Sequence, residues 1–184
     1  MVRGLYVPSD VSAPLEAREL NKLEAYQQAV DGSIEAVDVP DLGVTFYVNE
    51  EGLLRHLDFN SRATFLWWHY VPAARQRAML VGNAVIVGMP DENGNSTDVP
   101  EAAFRLLMQH ARYAVVLQLE DGSMLGVEHA YDDFFEAIMW ASVIEERRDD
   151  VEGTLVIAWD DLPADARAAA EHAGAEPARE VDEP

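Results

Sequence analysis

Apolar positions along this chain fall into short runs, and the breaks between them sit at Pro, Gly, Asn and Asp. Residues 3–7 form an apolar run stopped by Pro8, which reads as a strand, with 15–20 as its pairing partner. Asn21 is placed to cap a helix through Val30, whose Leu23, Tyr26 and Val30 share one face and which Asp31-Gly32 ends. The runs 34–39 and 44–48 read as a hairpin around Pro40-Asp41-Leu42-Gly43. A turn at 49–52 is followed by an expected third strand to Leu57. Asn60 or Ser61 caps a helix to Tyr70, Pro72 limits it, and 84–89 reads as a buried strand.

The polar stretch 90–98 is the expected internal boundary. Beyond it, Asp98 and Glu101 have capping-box spacing, with Phe104, Leu107 and Met108 at helical spacing behind them. Residues 113–120 and 123–129 predict a hairpin closed by Asp121-Gly122 in a type I′ turn. Asp133 and Glu136 open a further helix with Phe135, Ile138, Met139 and Ser142 on one face and Arg147 and Arg148 at its end. Residues 154–159 predict a buried strand, 161–173 a peripheral helix, and the chain after Gly174 disorder. The fold class expected is α+β, with antiparallel or mixed sheets and packed helices. It is expected as one compact body or as two small halves joined near 90–98, with an α+β domain over 1–90, a second half over 98–160 and an acidic, partly disordered tail over 161–184.

Charge changes this picture most. The chain has 184 residues and a formal net charge of -21. Only eight acids, against two arginines, lie in 160–184, so most of the acidity belongs to the folded part. Lys22 is the only lysine. Such a charge opposes contact with a nucleic acid backbone or an anionic membrane and favours a basic partner. Its plainest explanation is adaptation to salt, which competes with every functional one. No apolar run of membrane-spanning length occurs, and 1–4 lead into the first strand without a secretory apolar segment. With no cysteine present, the cytoplasm is the expected compartment, and disulfides and thiolate chemistry are excluded.

No catalytic or cofactor motif appears. The histidines His56, His69, His110, His129 and His172 have no metal-pair spacing, and Asp58, Glu128 and Asp132 offer only what any acidic chain offers. No serine has a Gly-x-Ser-x-Gly context, and Gly82 to Gly88 lacks the ending of a phosphate loop. The expectation is therefore a non-enzymatic protein without cofactor or metal. Two features invite an interaction reading. Trp67 and Trp68 diverge by roughly 100° on a helix, so one can be core while the other is exposed; either both pack inside or under a loop, or they supply an interface anchor. Asp132, Asp133, Glu136, Glu145 and Glu146 frame one helix in negative charge that could imitate successive phosphates or simply be a solvated face.

Four ordered stretches carry a resemblance: Gly32-Ser33-Ile34-Glu35; Val48-Asn49-Glu50-Glu51-Gly52; Asn60-Ser61-Arg62-Ala63-Thr64; and Val81-Gly82-Asn83-Ala84-Val85-Ile86-Val87-Gly88. Over 32–88 the chain resembles an uncharacterised domain family of bacterial and archaeal viruses and other mobile elements. The resemblance implies a small accessory protein and supplies no catalytic residues. Its polar positions Asn49, Glu50, Asn60 and Asn83 serve turns and a helix cap, or else line a small polar pocket. The leading expectation is an interaction protein of a mobile element that binds a basic host protein, in its sharpest form by mimicking DNA charge. The alternative is a small-ligand-binding accessory domain. With no Lys/Arg stripe, the chain is expected to leave unrelated DNA duplexes unshifted in a gel; a salt-sensitive shift would overturn that expectation.

Overall fold

A computed structural model describes residues 1–109, 111–125 and 130–173, with side chains described to 168. The chain is α+β and divides after Gln109 into two compact units. Both sheets are antiparallel throughout.

The N-terminal unit is built on five strands, β1 (Val2–Val7), β2 (Glu16–Leu20), β3 (Ile34–Val39), β4 (Val44–Asn49) and β5 (Ala84–Gly88), in the order β2-β1-β5-β4-β3. Strand alternation divides their side chains between two covered faces. On one, Leu20, Val85 and Val87 pack with Tyr26, Ala29 and Val30 of helix α1 (Leu23–Val30), and Tyr26 meets Tyr47 edge-on at 5.1 Å. On the other, Leu5, Val7, Val44, Phe46, Ala84 and Ile86 are fully buried. Each large side chain there contributes about 2–3 kcal/mol of transfer free energy. Helix α2 (Ser61–Tyr70) buries Ala63, Thr64 and Leu66, and helix α3 (Glu101–Met108) buries Ala103 and Leu107.

Several local expectations are corrected. Helix α1 starts after Lys22 rather than Asn21, and no side chain caps it. The strand expected up to Leu57 is a run of turns, because Arg55 reaches back to the Asp31 carbonyl and carboxylate and His56 takes a positive φ. The capping box at Asp98 and Glu101 does not form: Pro100 precedes α3, Asp98 accepts from the Arg3 backbone N–H at 2.7 Å, and Glu101 pairs with Arg3 and Arg105.

Those same contacts displace the boundary expected at 90–98. The Gly88 N–H donates to the Thr97 carbonyl, the Val99 N–H donates to that of Arg3, and Val99 is buried. The Arg3 guanidinium also lies 4.5 Å from the Phe104 ring centre. The polar stretch is thus a surface loop, and the chain returns to the first sheet before leaving it.

The C-terminal unit centres on β6 (Tyr113–Leu119). Strand β9 (Val151–Ala158) pairs along one edge, and the short β7 (Met124–Leu125) and β8 (Ala130–Tyr131) pair along the other. Helix α4 (Phe134–Arg147) covers one face, capped by Asp133, which accepts from the Glu136 N–H at 2.7 Å. The turn before β7 is a three-residue loop and not type I′. Gly122 has φ 80°, Asp121 does not have positive φ, and the Leu119 and Ser123 backbones pair around them. Helix α5 is Ala164–Ala173. The rest of the expected hairpin at 126–129 and the expected disorder after Gly174 lie outside the described residues.

A Cβ at Gly88 would sit 2.3 Å from both the Asp98 carbonyl oxygen and Thr97 Oγ1. Gly88→Ala is expected to cost about 1–3 kcal/mol in urea unfolding by pushing the 97–99 segment off the sheet. An unchanged midpoint would show that this segment does not pack there.

Candidate functional site

The polar residues of the resemblance are consumed by backbone. Asn49 donates its amide to the carbonyls of Val30 and Asp31 at 3.0 and 2.8 Å and accepts from the Glu51 N–H, which closes the end of α1. Asn60 donates to the carbonyls of Val7 and Gly82 at 3.0 and 2.9 Å and accepts from the Ala63 N–H as the cap of α2. Asn83 accepts from the Ser9 N–H, and Glu50 is exposed. These four therefore do not converge on one polar pocket: the amides of Asn49 and Asn60 already serve peptide groups of their own unit. Arg62 works in the same way, donating to the carbonyls of Pro8, Asp10 and Ala13.

Helix α2 holds the segment 78–82 by a ladder. Asn60 donates to Gly82, the Thr64 hydroxyl to Leu80 at 3.1 Å, and the Trp68 indole N–H to Ala78 at 2.8 Å, each to a carbonyl. Each step of four residues along the helix, a rise of about 6 Å, is thus matched by a step of two residues along 78–82.

The third rung makes an opening. Beside it lies an open cavity of about 420 Å³ lined by Phe59, Trp68, Gln76, Arg77, Ala78 and Met79. Phe65 bridges its aromatic side, edge-on to Phe59 at 6.5 Å and to Trp68 at 5.5 Å between ring centres. Phe59 is 44 % exposed and Met79 49 %, while Trp67 and Trp68 are both half-buried. Of the two tryptophans considered as anchors, Trp68 lines the cavity and Trp67 does not. Phe59 and Met79 lie in irregular segments where no periodicity marks them.

The acidic residues of the second unit do not form one row. Asp132, Asp133 and Glu136 are exposed at the start of α4, where they complement its dipole. Glu145 lies nine residues on from Glu136, so it sits roughly 180° around the axis and about 13 Å further along it. Its carboxylate accepts from the Thr154 hydroxyl at 2.6 Å, and Glu146 is exposed beside it. A phosphate-like series would need these groups on one side.

Perturbed acids are turn and surface acids. The Ser12 hydroxyl holds Asp10 low, the Asn95 N–H holds Asp91 low, and the Ser123 hydroxyl holds Asp121 low. Arg3 and then Arg105 lower Glu101, and Arg148 lowers Asp150. Burial raises Tyr26, Tyr113 and Tyr131. None of these groups lines the cavity. Among the described residues no group of three His, Cys, Asp or Glu is placed to hold a metal ion, and no helix is long and apolar enough to cross a membrane.

A family model described as a domain of unknown function, DUF3846, matches residues 2–112. The match ends close to the division after Gln109 and so covers the N-terminal unit. No curated protein and no solved structure matches the chain.

Asn60→Ala removes two donors from carbonyls, one acceptor from a helix cap and the fill of a site 1 % exposed. The expected loss is about 2–4 kcal/mol by chemical denaturation. A loss under about half a kcal/mol, the range of an ordinary surface change, would mean that the amide does not hold this junction.

Proposed function

We propose that this chain, which belongs to the DUF3846 family, acts by binding another protein, and that it does so at the cavity beside Phe59, Trp68 and Met79. The observation that carries the reading is an apolar opening whose walls are fixed while its mouth is exposed. The Trp68 N–H is satisfied within the chain, so the ring can bury against a partner without stranding a donor. Aromatic residues with a satisfied polar edge are the usual anchors of interfaces.

The partner is a basic protein that inserts an apolar side chain. A net charge of -21 raises the encounter rate with such a partner at low salt. Arg77 at the rim disfavours a cation at the inserted residue itself, so the partner's basic groups lie around the anchor rather than on it. The motif resemblance supports a setting in which the chain is an accessory protein of a virus or mobile element and the partner is a host protein in the cytoplasm. Charge mimicry of DNA is not adopted, because the five acids of α4 fall into two separated groups. A small apolar ligand is the second reading, since about 420 Å³ lies within the range of small-molecule pockets.

Met79→Glu and Phe59→Ser alter exposed side chains and leave the ladder intact. Partners captured from host lysate by the wild-type chain should be lost by at least about tenfold with either variant, the effect of burying one unpaired charge or removing one anchor. Neutralising Asp132, Asp133, Glu136, Glu145 and Glu146 to Asn or Gln should slow association and leave the complex in place. Partners that survive Met79→Glu but are lost on neutralisation would replace the cavity with the acids as the contact.

A further inference from the structure

Strand β9 is eight residues long and pairs with β6 from Gly153 to Ala158 and again at Val151, with a bulge at Glu152 between them, yet none of its residues is fully buried. Five of the eight are apolar: Val151, Leu155, Val156, Ile157 and Ala158. Leu155 is 48 % exposed. Among the described residues, no strand pairs with the edge of β9 that faces away from β6. Unpaired backbone on an outer edge is a template for another strand, and native chains blunt such edges with charge.

The two outer strands of the N-terminal unit follow that rule. Strand β2 carries Glu16, Arg18 and Glu19 in five residues, and β3 carries Glu35 and Asp38 in six. In β9 the one charge is Glu152, near the end. An acid-rich chain has thus left its longest outer strand almost free of charge.

We propose that β9 pairs with β9 of a second copy of this chain, antiparallel about a two-fold axis through Leu155, and joins two C-terminal sheets into one. Residues directly opposite in such a pair lie on the same face, so Leu155 meets its counterpart, Gly153 meets Ile157, and Thr154 meets Val156. Glu152 then lies opposite Ala158, and no like charges meet within the strand. Centring the axis on Thr154 instead would bring the two Glu145 carboxylates, each bound to a Thr154 hydroxyl, around the axis, where they repel. The apolar face formed by Val116, Leu155 and Ile157 beside Trp159 becomes continuous across the junction. A second copy is the occupant because an isologous interface needs only the strand already present, and in this register the apolar residues Leu155, Val156 and Ile157 of each copy lie at its centre while the single charge, Glu152, lies at its end.

The net charge of -21 on each chain opposes association at low ionic strength. Salt shortens the reach of that repulsion to about 10 Å at 0.1 M and less above it, so association tightens as salt rises.

Sedimentation of the full chain tests this. The wild type is expected to move from the 20.4 kDa of one chain towards twice that mass as concentration and salt rise. Leu155→Lys and Leu155→Glu each place two like charges on the axis and should weaken association at least about tenfold. Both change an exposed side chain, and circular dichroism should show the fold retained. An equimolar mixture of the two variants should associate again, because opposite charges then face each other. A wild type of single-chain mass at every salt overturns the proposal. So does association that survives both substitutions, or a mixture no heavier than its separate components.

Discussion

Asn60, which caps α2, and Thr64 and Trp68 on it stand four residues apart, and each donates to a carbonyl two residues further back along 78–82. The match of period fixes where the helix lies and in which direction it runs. Its first two rungs are buried, and leaving one of their groups unpaired would cost about 1–3 kcal/mol. The helix can therefore join the sheet only where the carbonyls of Val7 and Gly82 converge. From that position Arg62 gathers the loop after β1, and Thr64 also accepts from the Leu80 N–H. The last rung lies where helix and segment part, and the cavity is the space they leave.

Much of this fold was legible in the residues because its elements are locally marked. The runs at 34–39 and 44–48 could be paired from their apolar pattern and the turn between them. Asn60 and Asp133 were readable as caps, and both accept the expected backbone donor. Misreadings arose where a distant group overrode a local signal. Arg55 bends the chain after Gly52 towards Asp31, twenty-four positions away in sequence. Asp98 abandons a cap to bind the Arg3 backbone across the sheet. Long-range pairs of this kind leave no periodicity, and polar, Gly-rich loops such as 90–98 look like linkers even when both ends return to one sheet.

The candidate site was less legible for the same reason. Trp68 was visible as an aromatic residue on a helix, but a cavity requires the second wall. Met79 and Phe59 come from irregular segments, and only the ladder brings them beside the indole. The amide side chains of the motif were visible as polar residues at turns. Their use by backbone could not be read, because an asparagine serving two carbonyls and one lining a ligand pocket look alike in sequence.

Acidity has two consequences that work at different ranges. Beyond a Debye length, the excess of carboxylates acts only as a field that attracts cations and separates copies of the chain. At contact distance, the arrangement of each group decides, and several of the acids are already committed. Asp31, Glu101 and Asp150 pair with arginines, Asp10, Asp91 and Asp121 accept from their own turns, and Glu145 accepts from a threonine. A carboxylate held by a local donor gains less from a new partner, because the existing bond must be given up or shared. Surfaces that bind through apolar contact face no such competition. The mouth of the cavity and the outer edge of β9 are both sparse in acid on a chain that is otherwise rich in it, and that contrast sets them apart from the solvated remainder.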